Sequence, residues 1–175
     1  MFKCGLKTGC MRAEKFHAAR VIRDDEDVSK GVFAKDPSAT YTPAYHVHYG
    51  SYKGVKTQYI SASRDVEYAA QYMIEHGNSF MIVIALCYAP MFLDCSTWDR
   101  AVAIFKALEQ CSHKAGYFDI PAKYAQKSAE ILFDKALPRR CYFKVSREEV
   151  IEYLAQGKGY NGLYAYLIEH HRYGE

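Results

Sequence analysis

A continuous apolar run, Phe80-Met-Ile-Val-Ile-Ala-Leu86, constrains the fold of this chain more than any other feature. The run has the length of a strand, and a strand without polar alternation is buried on both faces. Just before it, segment 66–75 has apolar residues at helical spacing. Asp65 is suited to cap the start of that helix and Gly77 to end it. We therefore expect a helix that leads into a buried central strand.

The remaining segments mix strands and helices without regular alternation. Patterning predicts strands over 16–23, 57–63, 130–133 and 141–145, and helices over 98–110, 147–155 and 163–171. Residues 28–45 are punctuated by Gly and Pro and predict a long ordered loop. The alternation in Tyr45–Tyr49 favours a strand, and segment 123–128 is either a short helix or extended chain. This order favours the α+β fold class.

The length of 175 residues favours one domain, covering 16–175 behind a lead-in of residues 1–15. A mean hydropathy of −0.28 and the lack of a long apolar run exclude a membrane span and predict no membrane partner. The net charge of +3 is too small to argue for nucleic-acid binding by itself. The sixteen tyrosines suit ligand or partner surfaces, and equally a half-buried sheet.

The six cysteines form no Cys-x-x-Cys motif, which favours reduced thiols in the cytoplasm. Cys87 extends the apolar run and is expected in the core, whereas Cys4 and Cys10 are expected to be more accessible. No signal peptide is recognisable at the N-terminus, and delivery into another cell stays open. His46-Val-His48 would place two rings on one side of a strand, but no third ligand follows at a recognisable spacing, so no metal is predicted.

An ordered set of motifs runs from Arg20 to Pro138. Arg20 lies in the first predicted strand, His46 precedes a Gly-containing turn, and Tyr59-Ile-Ser61-Ala-Ser63 leads into an Ala-containing helix. Gln126-Lys-Ser-Ala-Glu130-Ile-Leu-Phe133 follows later in the chain. In this order the chain resembles toxin-like ADP-ribosyltransferase domains over residues 16 to 150. The resemblance implies a split β-sheet with helices packed outside an NAD cleft.

The resemblance also implies roles for single residues. Glu130 would be the catalytic carboxylate that stabilises positive charge on the ribose as nicotinamide leaves. Arg20, or Arg23 as its competitor, would grip the two phosphates. Ser61 would hydrogen-bond near the ribose or steady Glu130, and His46 would contact the adenosine or its ribose. The predicted site thus comprises catalytic Glu130, Arg20 and Ser61, and NAD-binding Arg20, Arg23, His46, Ser61, Ser63, Tyr59 and Tyr68, the tyrosines by stacking on nicotinamide.

Each of these residues also has a purely structural interpretation. Arg20 is equally suited to pair with the acidic cluster Asp24–Asp27, and the serines to shape a strand end. His46 could be a buried structural histidine, Glu130 a solvent-facing carboxylate, and Tyr59 a core residue.

Two positions depart from the family pattern. Ala62 replaces the middle hydroxyl of a Ser-Thr-Ser strand, and Ser128 stands where a Glu or Gln commonly selects the acceptor. The implied activity is mono-ADP-ribosyl transfer from NAD to an unknown protein or nucleic-acid acceptor, or NAD hydrolysis. The departures favour the alternative of a non-catalytic module that binds a nucleotide, a nucleic acid or a protein. Removal of phosphate from an RNA end with NAD would need further His and Arg positions that have no match in this chain.

A locally basic segment lies between residues 135 and 147. Its cations form a solvated face or steer an acidic partner or nucleic acid. Tyr142 and Phe143, interleaved among them, would suit base stacking as well as a strand. The cations are Lys135, Arg139, Arg140, Lys144 and Arg147.

Overall fold

The computed structural model describes residues 17–52, 54–109 and 116–173. The lead-in predicted for residues 1–15 lies outside these ranges, as do Cys4, Cys10 and Cys111. The described residues form strands and helices in mixed order, which confirms the α+β class. No helix within these ranges is both long and apolar enough to cross a membrane.

The strands in chain order are β1 (His17–Ile22), β2 (Gly31–Phe33), β3 (Tyr59–Ser63), β4 (Phe80–Ala85), β5 (Phe92–Asp94), β6 (Glu130–Asp134), β7 (Ala136–Pro138) and β8 (Tyr142–Ser146). The helices are α1 (Pro43–Tyr49), α2 (Val66–His76), α3 (Trp98–Leu108), α4 (Asp119–Lys127), α5 (Arg147–Tyr153) and α6 (Leu163–His170). One 3₁₀ turn, Arg139–Cys141, precedes β8, and a π turn, Leu154–Lys158, follows α5. Asp65 and Ser146 cap α2 and α5 through their side chains, as the sequence predicts.

Six strands form one antiparallel sheet in the order β5-β6-β3-β1-β4-β8, and β2 pairs separately with β7. The apolar run forms β4, which pairs with β1 on one side and β8 on the other. Its residues 81–85 are buried, as the lack of polar alternation predicts.

The two halves of the sheet meet at a single point between β1 and β3. β1 aligns with β4 along its whole length, from His17 opposite Ala85 to Ile22 opposite Phe80. With β3 it aligns only where Ala19 lies opposite Ser63. Beyond that point β1 does not pair with β3, so side chains can donate hydrogen bonds to the backbone carbonyl groups of β3.

The two faces of the sheet are covered differently. One face buries an apolar cluster that includes Ala18, Ile82 and Phe133 together with Val32 and Leu137 of the β2–β7 pair. On the other face, α2, α5 and α6 cover the β1-β4-β8 half. Helices α1, α3 and α4 cover the β3-β6-β5 half. A seam between these two helix groups therefore runs over the point where β1 meets β3.

The strand predicted over Tyr45–Tyr49 is wrong, because this segment forms α1. Thr42 caps the helix by accepting from the Tyr45 N–H, and Pro43 occupies its first turn. Both are helix-start signals, and they outweigh a short alternating pattern. On a helix, His46 and His48 point to nearly opposite sides, so they do not form the pair expected of a strand.

Three other expectations need correction. The predicted loop over residues 28–45 contains β2 and the first residues of α1. Cys87 is exposed rather than in the core, because β4 ends before it, while Cys95 and Cys141 are buried free thiols. Tyr142 and Phe143 are fully buried within β8, so they cannot stack on bases.

Candidate active site

Three predicted site residues project from the same face of the sheet, in the seam between the helix groups. Residues directly opposite each other in antiparallel strands share a face. Ser63 lies opposite Glu130, and Ser61 opposite Leu132 one step along the same ladder. Ser61, Ser63 and Glu130 therefore share one face, and β3 and β6 fix their spacing.

Glu130 is the first residue of β6 and is partly buried. Its Oε2 accepts a hydrogen bond from the Ser128 hydroxyl at 2.7 Å, and the Ser61 hydroxyl also hydrogen-bonds to it. Burial raises the pKa of this carboxyl, while the two serine hydroxyls and the positive charge of Arg20 oppose the rise. The carboxylate is therefore fixed in position by two donors.

His46 reaches the same serine from the buried side of α1. Its Nε2 lies 2.8 Å from the Ser61 Oγ, and its Nδ1 hydrogen-bonds to the Thr57 hydroxyl. Burial, together with the nearby positive charges of Arg20 and Lys35, lowers the pKa of His46 to about 4. The ring is therefore neutral at physiological pH, with one donor and one acceptor nitrogen.

The direction of this hydrogen-bond chain follows from its end at Glu130. When Glu130 is ionised, its carboxylate only accepts, so the Ser61 proton then points towards Glu130. Ser61 must then accept from the Nε2–H of His46, and Nδ1 accepts from Thr57. Thr57, His46 and Ser61 thus form a relay that orients a donor onto the carboxylate. Sequence reasoning missed Thr57, because no local pattern distinguishes it from any other strand-flanking threonine.

Arg20 reaches β3 but is shared with an acidic neighbour. Its Nη1 donates to the Ser61 carbonyl at 2.9 Å, in the stretch where β1 leaves β3 unpaired. Its Nη2 lies 3.3 Å from the Glu26 carboxylate, within the acidic cluster considered as its partner. Among the described residues, the Arg20 Nε is buried and has no hydrogen-bond partner. Arg20 is therefore anchored to β3 through Nη1, while Glu26 neutralises part of its charge at Nη2.

The other predicted nucleotide-binding residues take different positions. Arg23 is exposed and pairs with Asp25 and Glu26. Ser63 accepts from the Asp65 N–H, in the turn that leads into α2. Tyr59 packs against the apolar cluster under α1 and α3, edge-on to His46, which agrees with the core interpretation rather than with nicotinamide stacking.

A cleft of about 430 Å³ opens where β3 ends and β6 begins. This volume falls within the range of small-molecule sites. Ala129, the neighbour of Glu130, lines it and adopts a left-handed conformation with φ of 47°. Tyr68 lies in the first turn of α2, the turn that supplies part of the wall. The cleft is lined by Arg64, Asp65, Val66, Glu67, Ser96, Ala129 and Tyr164.

Tyr164 is a cleft residue that the sequence did not single out. It projects from α6, and its hydroxyl lies 2.5 Å from Nδ1 of the buried His17 on β1. These two residues lie 147 positions apart in the sequence, and the packing of α6 against the sheet brings them together. Within the described ranges, no group of three or more His, Cys, Asp or Glu side chains could hold a metal ion.

Comparison with protein-family models, with curated proteins and with solved structures finds no match to this chain. The resemblance to ADP-ribosyltransferases therefore rests on the ordered residues of the sequence. The structure adds that Ser61, His46 and Glu130, far apart along the chain, are joined by hydrogen bonds next to a cleft.

Proposed function

We propose that this protein cleaves the bond between nicotinamide and ribose in NAD and transfers ADP-ribose to a macromolecular acceptor or to water. One observation carries the proposal. The carboxylate of Glu130 is held by the Ser61 and Ser128 hydroxyls beside a cleft, with a neutral His46 behind Ser61. A structural carboxylate at a strand start would not need such a relay.

The arrangement suits a reaction that develops positive charge. When the glycosidic bond breaks, nicotinamide leaves with the bonding electrons and the ribose becomes oxocarbenium-like. A partly buried carboxylate beside that carbon stabilises the charge more strongly than one in water. The acceptor oxygen or nitrogen then bonds to the same carbon and releases its proton. In hydrolysis, water is the acceptor and the products are ADP-ribose, nicotinamide and a proton.

Arg20 is the residue best suited to hold the phosphates. Its Nη1 is held by the Ser61 carbonyl, and its Nη2, which faces Glu26, is the charged donor that an anion would take over. Lys35 adds positive charge nearby. Burial lowers the pKa of that lysine, and the positive charges of Arg23 and Arg20 act in the same direction. A phosphate would compete with Glu26 for Arg20, so binding requires this ion pair to loosen.

Ser128 bears on the choice of acceptor. Its hydroxyl lies near the Tyr124 carbonyl at the end of α4 and donates to Glu130. Ser128 therefore holds the Glu130 carboxylate in position, and its short side chain does not reach outwards as a Glu or Gln would. Transfer to arginine has no support from this position, and a protein, a nucleic acid or water stays the proposed acceptor.

The experiment is nicotinamide release from NAD by the wild type, Glu130→Gln and Asp134→Asn. Asp134 lies at the other end of β6 and is exposed, so it controls for loss of a carboxylate on the same strand. We expect release by the wild type and Asp134→Asn and a loss of about 100-fold or more in Glu130→Gln. Equal turnover by Glu130→Gln would refute the assigned carboxylate.

A second candidate is the non-catalytic module. The ion pair between Arg20 and Glu26 favours it, because it occupies the group that would bind phosphate. Calorimetric titration with NAD separates the two, since the module binds NAD or another ligand without releasing nicotinamide.

A further inference from the structure

The outer side of α1 carries a row of aromatic rings that no core element covers. Residues 41, 45 and 49 are spaced four apart, so successive rings meet on one side of the helix and its N-terminal approach. Ala44 and Val47 face the other way and pack into the apolar cluster with α3. We call the following set the tyrosine ladder: Tyr41, Tyr45, Tyr49, Tyr52, His48 and Tyr124.

The rings of the ladder are ordered against one another. Tyr41 and Tyr45 stack with centroids 4.6 Å apart, and Tyr45 and Tyr49 follow at 4.8 Å. Tyr52 meets Tyr49 edge-on at 5.8 Å, and His48 lies 5.7 Å from Tyr124 on α4. Although they contact each other, the five tyrosines remain between 36% and 57% exposed. A large and preorganised aromatic surface is therefore open to solvent.

Lysines surround this aromatic surface. Within the described residues, segments 35–52 and 54–58 and α4 together carry four lysines against two aspartates. Lys35 donates to the carbonyl groups of Gly50 and Val55, which places its charge at the end of α1. Lys123 and Lys127 are exposed on α4 on either side of Tyr124.

We propose that the tyrosine ladder and its flanking lysines form a docking surface for single-stranded nucleic acid. Exposed rings accept stacked bases of any sequence, and neighbouring cations pair with the backbone phosphates. A protein partner is less well matched, because lysine is depleted in protein interfaces. The proposal replaces the stacking role considered for Tyr142 and Phe143, which are buried. It does not depend on NAD chemistry and would hold for a protein without turnover.

The test is fluorescence anisotropy of the whole protein with labelled single-stranded DNA and RNA of about twelve nucleotides, at rising salt concentration. We expect binding that weakens with salt and that Tyr45→Ala and Tyr49→Ala each weaken by about tenfold. Tyr45→Phe keeps the ring and should keep the affinity. Tyr72→Ala is the matched control, because Tyr72 is equally exposed and stacks on His76 of α2.

Several outcomes would overturn the proposal. They are the absence of binding to both oligonucleotides at low salt, equal binding of duplex and single strand, and binding that the ladder variants do not change. If binding is lost in Arg139→Ala or Lys144→Ala instead, the basic segment is the nucleic-acid surface and the ladder is not. The nicotinamide assay can fail or succeed without changing any of these results.

Discussion

His46 should make the stability of this protein depend on pH between about 4 and 6.5. Burial lowers its pKa from 6.5 to about 4, so the native state resists taking up the proton that the unfolded chain accepts. The contribution of His46 to the free energy of unfolding is therefore fully present above its pKa in the unfolded chain. This contribution is lost as the pH falls towards its pKa in the folded protein. Over the whole interval the loss amounts to about 3 kcal/mol, and at about pH 5 to about 2 kcal/mol.

The measurement is urea unfolding of the wild type and His46→Gln at about pH 7.5 and about pH 5. The amide cannot be protonated, so the variant lacks this contribution, while the carboxylates are common to both proteins. At the higher pH the variant should be less stable, because glutamine fits the bonds to Thr57 and Ser61 less well. At the lower pH the difference between the two proteins should shrink by about 2 kcal/mol.

His48→Gln is the matched control, since His48 lies on the same helix and contacts Tyr49 and Tyr124 at the surface. That variant should keep the pH dependence of the wild type. If the difference between wild type and His46→Gln is the same at both pH values, His46 is not held neutral by burial. The relay from Thr57 to Glu130 would then lose its basis.

Three further predictions concern the candidate site and its surroundings. Burial raises the pKa of Glu130, so the native state binds more protons than the unfolded chain above pH 4.5 and stability falls as the pH rises. Glu130→Gln should therefore melt at a higher temperature than the wild type at neutral pH, and this difference should disappear at acid pH. A lower melting temperature of the variant at neutral pH would contradict a raised pKa of Glu130. Glu26→Gln frees Arg20 from its ion pair and should lower the KM for NAD several-fold with kcat unchanged, and an unchanged or higher KM would exclude competition at Arg20. Ala129→Val should cost more than about 1 kcal/mol in urea unfolding because of its left-handed backbone, whereas Ala129→Gly should be nearly neutral; equal costs would argue against strain at this turn.

Local signals in the sequence predicted most of the elements. The apolar run formed the central strand β4, and Asp65 and Ser146 capped helices where expected. The wrong prediction at Tyr45–Tyr49 also has a local cause, since the helix-start pair Thr42-Pro43 stands in the sequence and outweighs the short alternating pattern.

The site was predictable only as a set of separate residues. The sequence pointed to Ser61 and Glu130, but their hydrogen bond depends on the register of β3 against β6. It left open whether Arg20 pairs with acid or with phosphate, and the structure places Glu26 beside it. Thr57 and Tyr164 carry no local signal and were missed.

The sequence by itself determined the α+β class, the buried strand and the helix starts, because apolar periodicity and caps act over a few neighbouring residues. Only the tertiary structure decided that β1 and β3 meet at one residue pair, and that His46 supports Ser61 from a helix. It also left Tyr45 and Tyr49 of α1 exposed and buried Tyr142 of β8. These outcomes depend on contacts between distant segments, whose geometry is set by packing of the whole chain and is not encoded in any one segment.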